Sequence, residues 1–391
     1  MIDIKDKAAI VGVGYSAKQG TVPGVTVMSL ALEACKDAIE DAGLKKEDID
    51  GLLLQPVMGQ THSYNLAAQM GMHLRFTANE DAMGASGCFI AQSAAFAVAS
   101  GMANNVLCVY ATTGQSGDLR IAGPGRGPGM GGPPGGRVRL NEGALYGMTG
   151  AAMSYALAAR QGMRAFGTGP ETWVDIAVNT RKWANLNPRA TFYKRTMNRE
   201  EYFAEPWIAE PFRRADCCLV SDGARAFIVT TAERAKKLKQ PAVYISGMGQ
   251  YHHTEDIVQS MFAAGPTGAK ESGAAALKMA GIKISDIDAC EIYDCFTYTV
   301  ELTMQSYGFF KPGEGKDFFK NGRTAPGGEF PVNTSGGLLS EVYYMGFTPL
   351  TEAVMQLRGQ CGERQIKDPE FILVSGNGGI LQTHGTLILR R

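Results

Sequence analysis

Ala38-Ile39-Glu40-Asp41-Ala42-Gly43-Leu44-Lys45-Lys46-Glu47-Asp48-Ile49-Asp50 recurs later in the chain as Ala276-Leu277-Lys278-Met279-Ala280-Gly281-Ile282-Lys283-Ile284-Ser285-Asp286-Ile287-Asp288, at a constant offset of 238 positions. Each copy reads as the end of an amphipathic helix stopped by glycine, Gly43 or Gly281, where a left-handed backbone closes a helix. A turn follows, then an apolar run suited to a buried strand: Gly51-Leu52-Leu53-Leu54-Gln55 in one copy, Ala289-Cys290-Glu291-Ile292-Tyr293 in the other. Further out, each copy is preceded by an opening strand, residues 8–14 and 242–248. Strand, helix, glycine stop and Asp-Ile-Asp agree together, which marks a duplication. The pattern predicts an α/β fold built from two similar sheets.

The bulk numbers bound the function. At 391 residues the chain can bury a sizeable core, and 45% hydrophobic residues suit an oligomer with large interfaces. Basic and acidic residues balance at 38 each, so charge gives no case for nucleic acid or an anionic membrane. No run approaches the roughly 18 apolar residues of a membrane span, and Met1 to Lys7 lacks a signal core; a cytoplasmic location is expected. The eight cysteines are scattered, without Cys-x-x-Cys or a histidine at ligand spacing. They are expected to be reduced core thiols, with no metal site.

Four short stretches carry the chemistry. They are Tyr293-Asp294-Cys295-Phe296, Gly336-Gly337-Leu338-Leu339-Ser340-Glu341-Val342-Tyr343, Asp81-Ala82-Met83-Gly84-Ala85-Ser86-Gly87 and Val374-Ser375-Gly376-Asn377-Gly378-Gly379. Together they resemble the active-site loops of the thiolase superfamily, in its sterol-carrier-protein thiolase branch. That branch carries histidine where Tyr293 and Tyr343 stand, cysteine where Gly84 stands, and a second cysteine in a C-terminal Cys-x-Gly-Gly-Gly that has no sulfur here. The pattern is similar to the thiolase-like lipid-transfer proteins that act as acyl-CoA aldolases in steroid side-chain breakdown. Ser221-Asp222-Gly223-Ala224, Asn187-Pro188-Arg189-Ala190 and Arg358-Gly359-Gln360-Cys361-Gly362 also look like that subgroup.

The resemblance covers nearly the whole chain. It implies the thiolase fold, five α-β-α-β-α layers from two duplicated halves, residues 1–240 and 241–391. A loop domain at about 115–215 would interrupt the first half. Its Gly/Pro-rich opening, 123–136, cannot hold regular structure and suits a flap or a partner-binding loop; the rest, 151–160 and 173–186, is helical in pattern. The resemblance further implies a homodimer and a small second protein made of an OB-fold and a zinc ribbon. No tightly bound cofactor is expected, coenzyme A entering as part of an acyl-CoA substrate.

Thiolase chemistry needs a thiolate at a helix N-terminus, where aligned amides lower its pKa. Gly84 offers no side chain, and Cys88 lies one turn further on, pointing elsewhere. Retro-aldol cleavage needs no acyl-enzyme. It needs a base for the β-hydroxyl proton and an acid for the enolate carbon. A phenol, of ordinary pKa about 10, suits both if its surroundings lower that value. Tyr293 and Tyr343 are the candidates, with Tyr344 adjacent to the latter. Backbone amides at Gly84, Gly378 and Gly379 could bind the thioester oxygen, and His384 could line the same cleft. Asp294 and Glu301 could orient Tyr293 or cap the next helix. Two other readings stand beside the acyl-CoA aldolase: a β-ketoacyl-CoA thiolase using Cys88, and a catalytically silent acyl-CoA or lipid-binding protein.

Overall fold

The computed structural model describes residues 4–56, 62–117, 150–253 and 265–391; the Gly/Pro-rich run at 123–136 lies outside them. Eleven strands are present among the described residues: β1 (Ala8–Tyr15), β2 (Gly51–Leu54), β3 (Phe76–Asn79), β4 (Asn105–Thr113), β5 (Trp207–Ala209), β6 (Phe212–Arg213), β7 (Asp222–Thr231), β8 (Val243–His252), β9 (Ala289–Glu291), β10 (Phe371–Gly378) and β11 (Thr383–Arg390). All but the β5–β6 hairpin join one mixed sheet in the order β3-β2-β4-β7-β1-β8-β11-β10-β9.

That order is a palindrome of the duplication. From the centre outward, β1-β7-β4-β2 in one half matches β8-β11-β10-β9 in the other. The strand directions match as well, since β2 is parallel to β4 and β9 to β10, with the inner pairs antiparallel. The halves meet through a two-residue antiparallel contact, Ala9 opposite Tyr244 and Ile10 opposite Val243. An antiparallel junction of equivalent strands is what a pseudo-two-fold axis requires.

The repeated helices behave alike. Val27–Ala42 ends on Gly43 at φ 71°, and Ala269–Ala280 ends on Gly281 at φ 70°. Each is followed by a 3₁₀ turn closed by an aspartate: Lys45 N–H donates to Asp48 Oδ2 at 2.7 Å, and Lys283 N–H to Asp286 Oδ2 at 2.8 Å. The long helices Ser86–Ala99 and Phe347–Leu357 form the second matched pair.

Alternation along the strands builds the layers. Ile10, Val106, Cys108, Phe227, Ile372, Val374 and Leu387 point into one core shared with Ser86–Ala99 and Phe347–Leu357, between the two half-sheets. Val11, Leu107, Val109 and Ile228 face Val27–Ala42. On the opposite side Leu373 and Ile388 face Ala269–Ala280 and the insertion helix Ala151–Phe166. Five layers result. The insertion supplies a second helix, Pro170–Asn185, whose Trp173 donates its indole N–H to Glu301 at 2.8 Å.

Close helix–sheet contact depends on glycine in equivalent strand positions. A Cβ at Gly14 would lie 2.1 Å from the Ala34 carbonyl oxygen, and one at Gly249 2.0 Å from that of Ser272. Gly14→Ala and Gly249→Ala should therefore each cost about 3 kcal/mol by urea denaturation, because backbone must move to admit a methyl. Gly101→Ala, with open space around it at φ +77°, should cost only about 1 kcal/mol of left-handed strain. Equal losses at all three sites would show that the helix–strand contact is not tight.

Candidate active site

Tyr293 stands two residues past the last residue of β9, which is two residues shorter than the apolar run suggested. The strand ends because Ile292 gives its N–H to the Asn333 side-chain oxygen at 2.7 Å instead of to a neighbouring strand. Tyr293 itself donates its N–H to the Ser375 carbonyl at 3.1 Å. Its backbone is thus tied to β10.

Tyr343 arrives from the other wall. Gly336 and Gly337, at φ 99° and 56°, open a five-residue π-helical turn, Gly337–Glu341. Asp294 shapes this turn by accepting the N–H groups of Leu338 at 2.8 Å and Leu339 at 3.3 Å. A side chain at Gly337 would strike that carboxylate, with Cβ 2.1 Å from Asp294 Oδ2. Glu341 then pairs with Arg225 in full burial, and Ser221 Oγ accepts the Tyr343 N–H at 3.1 Å. Asp294 and Glu301 are therefore engaged elsewhere than on Tyr293's phenol or the start of the next helix, Thr297–Tyr307: one holds the Tyr343 loop, the other the Trp173 indole.

These two loops bring the Tyr293 and Tyr343 hydroxyls to 2.8 Å from each other. Both also point at the Met345 sulfur, Tyr343 at 3.1 Å and Tyr293 at 3.7 Å. Gly84 faces the pair. A Cβ there would lie 2.1 Å from Tyr293 Cζ and 2.3 Å from the Asn377 carbonyl oxygen, so no side chain fits beside this phenol. A third phenol, Tyr155 on the insertion helix, donates to Asn377 Oδ1 at 2.9 Å.

Burial pushes Tyr293 well above the ordinary phenol range, and the neighbouring Tyr343 adds to the shift. Burial likewise raises Tyr343, with the nearby Cys218 second, while the Tyr293 hydroxyl partly offsets it. The groups acting most strongly on both phenols are other phenols and thiols, not cations. The expected lowering of the phenol pKa is thus reversed, and both rings stand protonated at neutral pH.

Other sequence candidates fall elsewhere. Tyr344 is fully buried in the central core and donates its hydroxyl to the Asp222 carbonyl at 2.6 Å, so it is turned away from the pair. His384 is buried with both ring nitrogens engaged, Nδ1 on Ser272 Oγ at 2.9 Å and Nε2 on Ser375 Oγ at 3.2 Å. It has no free nitrogen for a substrate. Gly378 passes close under the nucleophile-like loop, where a Cβ would lie 2.0 Å from the Ala82 carbonyl oxygen, and Gly379 turns the chain at φ +59°. Gly378 serves close backbone approach, and Gly379 the turn. Cys88 is fully buried beside the Val374 carbonyl, 3.9 Å away, and burial raises its thiol. It cannot replace the missing nucleophile. Cys295, close to Tyr155, is pushed up to about 12 by burial, so it too is a neutral thiol.

Tyr155, Asn377, Ser221 and Met345 are site residues that sequence reasoning missed. Asn377 and Ser221 lie within recognised stretches, but the contacts that bring them and Tyr155 to the site join distant segments. Among the described residues no group of His, Cys, Asp and Glu side chains could hold a metal ion, and no helix is long and apolar enough to cross a membrane.

Residues 249–391 match the family described as thiolase C-terminal domain-like. The chain is 34% identical to a steroid side-chain-cleaving aldolase of Thermomonospora curvata, with 95% of each chain covered. It is 32% identical to a 17-hydroxy-3-oxo-4-pregnene-20-carboxyl-CoA lyase of Mycobacterium tuberculosis, covering 96% of this chain and 98% of that one. A solved structure titled Ltp2-ChsH2(DUF35) aldolase superimposes with a TM-score of 0.88 at 32% identity, over 100% of this chain and 99% of that chain.

The His384 geometry has a measurable consequence. Burial pushes its pKa down from 6.5 to about 3. The unfolded chain takes up a proton near pH 6.5 that the folded chain refuses, so this residue's stabilising contribution is intact above that pH and is lost as pH falls toward 3. Relative to His384→Gln, the wild type should lose about 1.4 kcal/mol per pH unit between about pH 6 and 4, and nothing above pH 7.5. Urea unfolding at several pH values gives the difference; a pH-independent one would mean that the ring is charged or exposed.

Proposed function

The chain belongs to the thiolase superfamily, in its branch of thiolase-like lipid-transfer aldolases, and on that footing we propose that it is a carbon–carbon lyase acting on a β-hydroxyacyl-CoA. The products are a ketone or aldehyde and a shorter acyl-CoA, and a steroid side chain carried as its CoA thioester is the substrate class that the relatives support. The observation that carries this reading is the phenol pair itself. Two hydroxyls 2.8 Å apart stand where a thiolate site would need room, and position 84 cannot hold a cysteine beside them.

The reaction needs one net proton movement, from the β-hydroxyl to the α-carbon. As the hydroxyl loses its proton, the oxygen's electrons form the carbonyl and the bond between the α- and β-carbons breaks. Its electron pair passes into the thioester enolate, whose α-carbon is then protonated. Two hydrogen-bonded phenols can carry that proton as a relay: the first accepts the hydroxyl proton and passes its own to the second across their 2.8 Å hydrogen bond, and the second gives its own to the carbon. Each phenol is neutral before and after. Their raised pKa values suit this role, because no free phenolate has to form in a desolvated site. Free CoA is not consumed.

Coenzyme A enters as part of the substrate, and we propose no other cofactor. The second protein named with the solved relative supports an assembly here as well; we propose a small OB-fold and zinc-ribbon partner, alongside a homodimer of this chain. Residues 1–240 and 241–391 serve as the two halves of the catalytic body, with about 115–215 as a loop domain over the acyl chain.

Tyr293→Phe and Tyr343→Phe should each lower the release of shorter acyl-CoA by about 10²–10⁴-fold, with KM changed much less. Full activity in either variant would remove that residue from the reaction. In the wild type, kcat should stay level between about pH 8 and 9.5, below the ordinary phenol pKa. A rise of one log unit per pH unit across that range would identify a phenolate base and overturn the relay. Cleavage that requires added free CoA would restore thiolysis.

A further inference from the structure

Met345 ends the short hydrogen-bonded chain of the site. Two phenol protons are available; one lies between the two hydroxyls, and the other points at a thioether sulfur, 3.1 Å from the Tyr343 oxygen. Sulfur is a weak acceptor. A half-buried side chain that, among the described residues, takes the outward hydrogen bonds of the phenol pair stands in the path of a substrate oxygen approaching it.

Its backbone is unusual too. Met345 sits at φ 49°, a left-handed conformation that an unbranched residue with a Cβ seldom adopts. The neighbouring Gly346 explains how it is held. A Cβ at Gly346 would lie 2.7 Å from the Gly84 carbonyl oxygen and 3.0 Å from Gly87 N, so the segment is clamped against the start of the Ser86–Ala99 helix. Backbone strain of this kind concentrates at sites where it fixes a side chain for function.

We infer that Met345 is a placeholder and size filter: in the free enzyme its thioether occupies the place of the substrate's β-hydroxyl and the group next to it, and substrate binding displaces it. Thioether chemistry suits that role. The side chain is flexible and apolar, it excludes water from the phenol pair, and its weak hydrogen bond is readily exchanged for a stronger one to oxygen. Glutamine, of similar length, would hold the phenols in competition with the substrate. The volume that methionine yields limits how bulky the β-carbon's substituents can be.

The catalytic arm of the test rests on the lyase reading; the binding arm does not. The probes are two uncleavable thioesters, butanoyl-CoA and cyclopentylacetyl-CoA, the second carrying its β-carbon in a ring. Calorimetric titration of the full-length wild type, Met345→Ala and Met345→Leu gives the affinity ratio. Met345→Ala should shift the ratio about tenfold toward the cyclopentyl ester. Met345→Leu, which keeps the volume without the sulfur, should leave the ratio near that of the wild type. Met345→Gln should lower cleavage of a β-hydroxyacyl-CoA at least about tenfold through competition for the phenols. An unchanged ratio in Met345→Ala, or no measurable binding of either thioester by the wild type, overturns the inference. A wild type that binds both esters yet cleaves no β-hydroxy thioester overturns the lyase reading alone, and the affinity ratio still decides Met345.

Discussion

Tyr293 and position 84 compete for one volume. With the phenol in place, a Cβ at 84 would meet ring carbon at 2.1 Å on one side and the Asn377 carbonyl at 2.3 Å on the other. A thiol at this helix start and a phenol opposite it are therefore alternatives. The Ser86–Ala99 helix still begins at this point, and the positive end of its dipole favours negative charge nearby whatever group carries it. In a thiolase that charge is a thiolate. In the proposed lyase the nearest charge to develop is the thioester enolate oxygen, so the same helix end can serve a different reaction without a change of fold.

Holding two phenols at hydrogen-bonding distance requires two loops from different segments to be rigid, and buried charge supplies the rigidity. Asp294 binds the amides of the Gly337–Glu341 turn, and burial raises its pKa to about 7. Glu341 pairs with Arg225, whose guanidinium also donates to Thr351. Below them Glu291 accepts from Thr334, and burial together with the nearby Glu352 raises its pKa. Glu352 itself is held by a two-pronged contact from Arg364, both hydrogen bonds 3.0 Å long. Buried ion pairs contribute little net stability after desolvation. Their value here is directional, since each fixes a backbone segment that a packed apolar residue would leave free to slide.

The duplication was legible because its marks are local. A glycine stop, a 3₁₀ turn closed by aspartate and an apolar strand depend on neighbours a few residues away, so both copies kept them in order. The Gly12-Val13-Gly14 and Gly247-Met248-Gly249 pairs carried the same message in the strands. Counting within motifs singles out Tyr293 and Tyr343 as candidates, but it cannot separate Tyr343 from Tyr344; that depends on which hydroxyl meets Tyr293 and which the Asp222 carbonyl in the folded chain. Tyr155 and Asn377 meet across 222 residues, and no pattern in the chain announces such a contact. The phenol pKa shift was misjudged for a related reason. Composition reveals which groups exist, whereas burial depth, which dominates the shift here, belongs to the folded state.

The two losses that separate this chain from a thiolase, two histidines and two cysteines, follow from one electrostatic requirement. An imidazole that takes a proton becomes a cation, and in a desolvated pocket a cation needs an anion beside it. A thiolate is that anion in the acyl-transfer reaction. Remove the thiol and a histidine base is left with an unpaired charge at the moment it acts. A hydrogen-bonded phenol pair avoids the problem, because it passes a proton through without holding net charge in either resting state. The same burial that makes Tyr293 and Tyr343 poor phenolates therefore makes them suitable as a neutral relay.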